Sequence, residues 1–277
     1  LLLPGQPKPA TIFEAIGKYR PSHFFGLPTL YTSLTKADGA ATADFSSLRM
    51  ALSAAEVLSA EVFNGWKKLT GLEIIEGLGS TEALHIYLSN LPDKKKLGAA
   101  GLRVPGYEIM LRDKDGREVG DNEEGILWVR GDSNTPLYWN RPDKSAETIR
   151  EGGWIYTGDR FVRDADGFHF FRGRADDLIK ISGQWVYPLE VELCLADHPD
   201  IRECAVVAAA LPDQRMTRKA VVVMNSRTGG QGDATRRLQD YVKGKLLPYK
   251  YPREVIFTDE LPKTGTGKID RQALLRM

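Results

Sequence analysis

Along residues 1–90, short apolar runs suited to strands alternate with amphipathic stretches of helical period, and this alternation constrains the fold more than any other feature. Strands separated by helices are joined by crossovers, so the pattern specifies a parallel or mixed sheet with helices on its faces. In "TIFEAI" (11–16), Thr11 and Glu14 stand at capping-box spacing, with Ile12, Phe13 and Ile16 on one face. "HFFGLP" (23–28) reads as a short buried strand, and Pro28 suits the first turn of the helix after it. "LRMALSAAE" (48–56) is a strand running into a small-residue loop. Ser59 is placed to cap a helix whose face is Val62, Phe63, Trp66 and Leu69 and which Gly71 closes. "LEIIEG" (72–77) is a third strand.

Near residue 98 the texture changes. "YEIMLRDKDGREVG" reads as two strands about an Asp115-Gly116 turn, "EGILWVRG" and "GGWIYTGD" as single strands, and "FVRDADGFHFFRGR" as a hairpin turning at Asp166-Gly167. This is an antiparallel, barrel-like section. "DADG" lacks the further ligands of a calcium loop, which leaves a hairpin turn. From about residue 174, helix and strand patterns alternate again in a small α+β unit. The expected organisation is an α/β part over 1–97, a barrel-like β section over 98–173 and a C-terminal α+β domain over 174–277, with the polar segment "RGRADDLIK" (172–180) at the last boundary.

The 277 residues are 42% hydrophobic and 27% charged, ordinary globular composition, and the net charge of +1 gives no footprint for nucleic acid or a membrane surface. Cys194 and Cys204 lie in apolar runs, which suits a reduced, cytoplasmic setting better than a disulfide framework.

Four stretches carry candidate chemistry. In "EGLGSTEALHIYLSN" (76–90) a Gly-x-Gly turn ends a strand and Ser80, Thr81 and Glu82 follow. Glycine-freed amides, a hydroxyl and a carboxylate there can meet phosphate and Mg²⁺, while Ser80 or Thr81 could equally be a helix N-cap with Glu82 in the first turn. Asp159 in "WIYTGDRF" can accept from the vicinal hydroxyls of a ribose, or simply close a turn. "RGRADD" brings Arg174 close to Asp176 and Asp177. In "PKTGTGKIDR" (262–271), Lys268 is followed by Ile269, and Pro262 stands where the first glycine of a phosphate-binding loop would be. That stretch is a lysine on a glycine-flanked turn, not a Walker loop.

Taken in order, G-S-T-E, Y-T-G-D, G-R-x-D-D-x-I-K-x-S-G and P-K-T-x-x-G-K closely resemble the acyl-adenylate-forming enzymes, which include acyl-coenzyme A ligases, peptide-synthetase adenylation domains and luciferases. The resemblance covers essentially the whole chain. It implies an enzyme that uses ATP, Mg²⁺ and coenzyme A to turn a carboxylic acid into an acyl-AMP and then a thioester. By resemblance Gly79, Ser80 and Thr81 meet the phosphates, Glu82 holds Mg²⁺, Asp159 binds the ribose hydroxyls, and Arg174 assists near ribose and phosphate. Asp176 sits at the family's hinge, Gly183 on the face that meets coenzyme A, and Lys268 reaches the carboxylate and α-phosphate.

A finer resemblance concerns the acid. Leu78 stands where most of the superfamily has an aromatic residue, and "GLGSTEALHIYLSN" with "SGQWVYPLEVE" looks like the benzoate-type aryl-coenzyme A ligases. In those, the histidine at the position of His85 lines the acid pocket. His85 with Ile86 and Tyr87 could instead be core, and Phe25 and Gly26, in the family's aromatic acid-pocket segment, are weaker pocket candidates that could also be simple packing.

The family's glycine-, serine- and threonine-rich phosphate loop is not in the sequence. The chain is therefore expected to be the C-terminal portion of such a ligase: a large-domain remnant, then the mobile small domain, inactive alone and with apolar surface a homodimer could cover. A carrier-protein-loading adenylation enzyme and a non-catalytic adenylate-binding scaffold are the alternatives.

Overall fold

A computed structural model describes all residues except 1–7, 178, 182–183, 211–215, 226–230 and 266–267. It divides into two compact units, Leu1–Phe171 and Arg172–Met277.

The first unit opens with helix α1 (Pro9–Tyr19). Pro9 takes a first-turn position, so the helix begins two residues before Thr11; the expected capping box lies inside it, and Arg20 ends it in the left-handed conformation. Strand β1 (His23–Gly26) and helix α2 (Pro28–Thr35) follow, then β2 (Met50–Ser53). Helix α3 (Ala60–Thr70) is capped as its sequence specifies. Ser59 Oγ accepts from Val62 N at 3.3 Å. Gly71 closes the helix with φ +77°. Strand β3 (Ile74–Gly79) runs to Gly79, past the expected end at Gly77.

β1, β2 and β3 pair in parallel, and the sheet is completed by β4 (Ile86–Ser89) and β5 (Leu102–Arg103), added antiparallel in the order β1-β2-β3-β4-β5. Its helical face closes on Trp66, fully buried among Phe24, Tyr31 and Phe45 with ring centroids 5.8, 4.8 and 5.5 Å away.

The second sheet of this unit is antiparallel and open, ordered β10-β9-β7-β6: β6 (Tyr107–Arg112), β7 (Glu124–Gly131), β9 (Trp154–Arg163) and β10 (His169–Arg174). The short β8 (Ile149–Arg150) follows helix α4 (Pro142–Thr148) and pairs with β9. "YEIMLRDKDGREVG" gives one strand and a lone Arg112–Glu118 bridge, not two strands. The Asp164–Gly167 stretch is the expected hairpin turn; Lys96 Nζ lies 2.5 Å from Asp164 and 2.6 Å from Asp166, which sets a cation on that acid pair. Leu111, Leu127, Val129, Ile155 and Phe161 form the buried face, with Ala83 from the β3–β4 connection and Tyr87 and Leu88 from the first sheet.

In the second unit, β11 (Ile179–Ile181) and β12 (Gln184–Val186) pair antiparallel before helix α5 (Pro188–Ala196). β13 (Ile201–Ala210) pairs antiparallel with β14 (Met216–Met224), which pairs in parallel with β15 (Glu254–Phe257) after helix α6 (Gln231–Lys245). Val206, Ala220 and Val222 face one cluster with Val191, Leu195 and Leu238; Ala205, Val207, Val221 and Val223 face another with Leu261 and Leu274 of α7 (Arg271–Leu275). A sheet buried on both faces explains the unbroken apolar runs "AVVAAA" and "AVVVM". The cysteines are unpaired, and burial raises both thiols.

Candidate functional site

Parallel pairing aligns Gly26 with Ser53 and Ser53 with Glu76, so β1, β2 and β3 deliver their carboxyl ends to one edge. That edge is where open α/β sheets place ligands. β3 continues three residues further, and the chain turns back through Ser80–His85 into β4, pairing Gly79 with Ile86. Phe25, Gly26, Leu78, Gly79, Ser80, Thr81, Glu82 and His85 are thereby gathered at one end of one sheet.

No helix follows the G-S-T-E stretch, so the N-cap alternative for Ser80 and Thr81 is overturned. Ser80 Oγ accepts from Ala83 N at 3.3 Å and Leu84 N donates to Thr81 O at 3.1 Å, closing a tight turn in which Leu84 has φ +70°. Thr81 and His85 are exposed. Phe25 is 62% exposed, while Phe24 beside it takes the core position on this alternating strand. Leu78 is half-buried against the cluster of Tyr87 and Leu88.

The second sheet grips the turn. Thr135 N donates to Glu82 O at 2.7 Å, and Tyr107 Oη and Ser133 Oγ donate to Ala83 O at 3.0 and 2.8 Å. The Tyr138 phenol donates to Glu82 Oε1 at 2.5 Å. Burial, then its bond to Glu82, raises the phenol above its ordinary pKa. Asp159 lies on β9 just after Gly158. The φ of +73° at Gly158 is one that only glycine adopts readily. Asp159 N donates to Thr157 Oγ1 at 3.1 Å, and Thr157 Oγ1 donates to Leu127 O at 2.8 Å. β9 runs on through Asp159 to Arg163, so the turn reading for this aspartate is also corrected.

Sequence reasoning missed three residues, Glu76, Ser53 and Tyr138. Glu76 is a buried carboxyl accepting from Leu58 N at 3.2 Å, and burial pushes it up to about 7 against that bond. Ser53 Oγ, on the neighbouring strand, is buried with no hydrogen-bond partner among the described residues. An acid inside the apolar run I-I-E-G was a readable signal. Tyr138 lies in a polar loop far along the chain, and nothing local marks its partner.

In the second unit, Arg174 pairs with Asp176, Nε to Oδ1 at 3.0 Å. Lys263 bridges to Ile269, Thr264 N donates to Lys268 O at 2.8 Å, and Asp270 N donates to Pro262 O at 2.8 Å. Lys268 is exposed shortly before α7, whose first turn Asp270 caps by accepting from Ala273 N at 3.0 Å. Gly183 lies outside the described residues. Among the described residues there is no group of three or more His, Cys, Asp or Glu that could hold a metal, so a cation at Glu82 would have to share its shell with ligand oxygens, the usual habit of Mg²⁺ with phosphates. No helix among them is long and apolar enough to cross a membrane.

This order of motifs on these sheets defines a protein of the AMP-binding enzyme family. Its family model matches residues 1–139, the model for the AMP-binding enzyme C-terminal domain matches 190–268, and the chain belongs to that family. Over 273 residues it is 40% identical to a benzoate–CoA ligase of Thauera aromatica, across 98% of this chain and 51% of that protein. It is 38% identical to a 4-hydroxybenzoate–CoA/benzoate–CoA ligase of Rhodopseudomonas palustris, across 100% of this chain and 52% of that one. The crystal structure of an anthranilate CoA ligase with anthranoyl-AMP superposes with a TM-score of 0.92 at 37% identity, over 99% of this chain and 53% of that one. The chain spans about half the length of the curated relatives it matches.

Proposed function

We propose that this chain is part of an AMP-forming acid–thiol ligase that makes an aryl-coenzyme A of the benzoate or hydroxybenzoate type through an acyl-AMP. In the first step a carboxylate oxygen attacks the α-phosphorus of ATP and pyrophosphate leaves. In the second the thiolate of coenzyme A attacks the acyl carbon and AMP leaves. The observation that carries the reading is the Ser80–His85 turn, which sets a hydroxyl and an oriented carboxylate at the carboxyl edge of the parallel strands.

In this reading Gly79, Ser80 and Thr81 shape the phosphate end and Thr81 donates to a phosphate oxygen. Glu82 holds Mg²⁺, which when bound offsets phosphate charge. Asp159 accepts from the ribose hydroxyls, with Arg174 near ribose and phosphate. His85, Phe25, Gly26 and Leu78 border the acid. Lys268 places a compact cation on charge developing between carboxylate and α-phosphate. Asp176 serves as hinge and Gly183 meets coenzyme A. Support comes from the relatives, which are aryl-CoA ligases by name, and from the residues matching the family's motifs.

The test is AMP release by the natural protein in which this chain occurs, with ATP, Mg²⁺ and coenzyme A, across benzoate, hydroxybenzoates, acetate and an amino acid. Release that needs both an aryl acid and coenzyme A supports the reading. Release with acetate or an amino acid alone overturns the acid assignment. Release dependent on a carrier protein, or none at all, overturns the thiol assignment or the activity itself.

A further inference from the structure

A carboxylate at the edge of a turn is a poor cation ligand unless its plane is fixed, because the last torsion of a glutamate is broad. Glu82 is such a carboxylate, and one of its oxygens is held by a phenol fifty-six positions along the chain. We propose that Tyr138 is the residue that positions Glu82 for a divalent cation, an inference that rests on the reading of Glu82 as the cation's carboxylate.

The bond is a charge-assisted one, short at 2.5 Å and directional. Tyr138 is itself held in place. Its backbone N–H donates to Ser145 Oγ at 2.8 Å, and that hydroxyl donates on to Arg141 O at 2.8 Å within the start of α4. Trp139, next in sequence, is 83% exposed, so the placement of this stretch does not come from burying its neighbour. Outer partners that orient a metal-binding carboxylate commonly govern affinity about ten- to a hundredfold.

A purely structural role, fastening the 131–141 loop to the turn, has to be distinguished. That fastening does not depend on the phenol, since Thr135 N on Glu82 O and Ser133 Oγ on Ala83 O already supply it. Tyr138→Phe keeps the ring and removes only the hydroxyl, so the loop stays attached while Glu82 loses its guide.

The experiment is calorimetric titration of the natural protein with ATP, once with Mg²⁺ and once with a chelator. Tyr138→Phe is expected to weaken the Mg²⁺-dependent gain in affinity about ten- to a hundredfold and to leave binding in chelator unchanged. Ser133→Ala, which loosens the loop without touching the phenol, should keep the gain. Equal loss with and without Mg²⁺ in Tyr138→Phe would make the role structural and overturn the proposal. An unchanged Mg²⁺ gain in Tyr138→Phe, with the gain lost in Glu82→Gln, would also overturn it. A gain retained in Glu82→Gln would instead remove the cation reading on which it rests.

Discussion

Gly79 lies against the backbone of His85: a β-carbon built on it would stand 2.3 Å from the His85 carbonyl oxygen and 2.8 Å from Ile86 Cα. Backbone is on the other side of this contact, so no side chain can move aside. Gly79→Ala must push β3 and β4 apart where the turn is made. Overpacking of this kind typically costs about 1–3 kcal/mol. A lowered urea midpoint is expected and, if the proposed role of the turn holds, weakened ATP binding with it; a variant matching the parent in both would show that the turn is loose.

Glu76 carries a pH dependence of stability with a definite sign. Its carboxyl is raised from 4.5 to about 7 in the folded chain. An unfolded chain therefore releases this proton first, and the stabilisation present below pH 4.5 is lost as pH rises towards 7. At about 1.36 kcal/mol per pH unit the span is worth about 3 kcal/mol. Urea unfolding of the parent and of Glu76→Gln, compared between pH 4.5 and 7, should show the parent falling relative to the variant. Parallel curves would mean that the carboxyl titrates normally.

Trp66 is the centre of an aromatic cluster and is fully buried. Trp66→Ala removes a large buried ring and is expected to destabilise by about 3–5 kcal/mol. Chemical denaturation followed by circular dichroism measures this directly.

Lys268 is exposed and lies in a loop outside the sheet pairing. Lys268→Ala should leave the melting temperature unchanged. If the proposed role holds, adenylation measured by pyrophosphate exchange falls by about 10²- to 10³-fold, the scale of losing one preorganised charge stabiliser. Unaltered exchange would remove Lys268 from the reaction.

The elements that the sequence declares locally are the ones it allows to be placed. Ser59 and Gly71 bracket α3 because capping is decided within a few residues. The Thr11–Glu14 box misled because Pro9, upstream, starts the helix first. Ser80 reads as a helix cap for the same local reason, yet Gly79 lets the chain fold straight back onto β3, and pairing with Ile86 wins over helix formation. Phe24 and Phe25 are indistinguishable by composition and differ only in which face of β1 they occupy. The grip of Tyr107, Ser133 and Tyr138 on the turn joins segments dozens of positions apart, and no spacing in the sequence encodes it.

The Ser80–His85 turn has already committed two of its amides inward, Ala83 N to Ser80 Oγ and Leu84 N to Thr81 O. The carbonyls of Glu82 and Ala83 are committed as well, to the second sheet. A Walker loop wraps its anion in backbone donors; in the proposed reading this turn, with two of its amides directed inward, meets a phosphate through the Thr81 hydroxyl beside its remaining amides. If that reading holds, such a turn gauges where a phosphate sits more than it traps the charge.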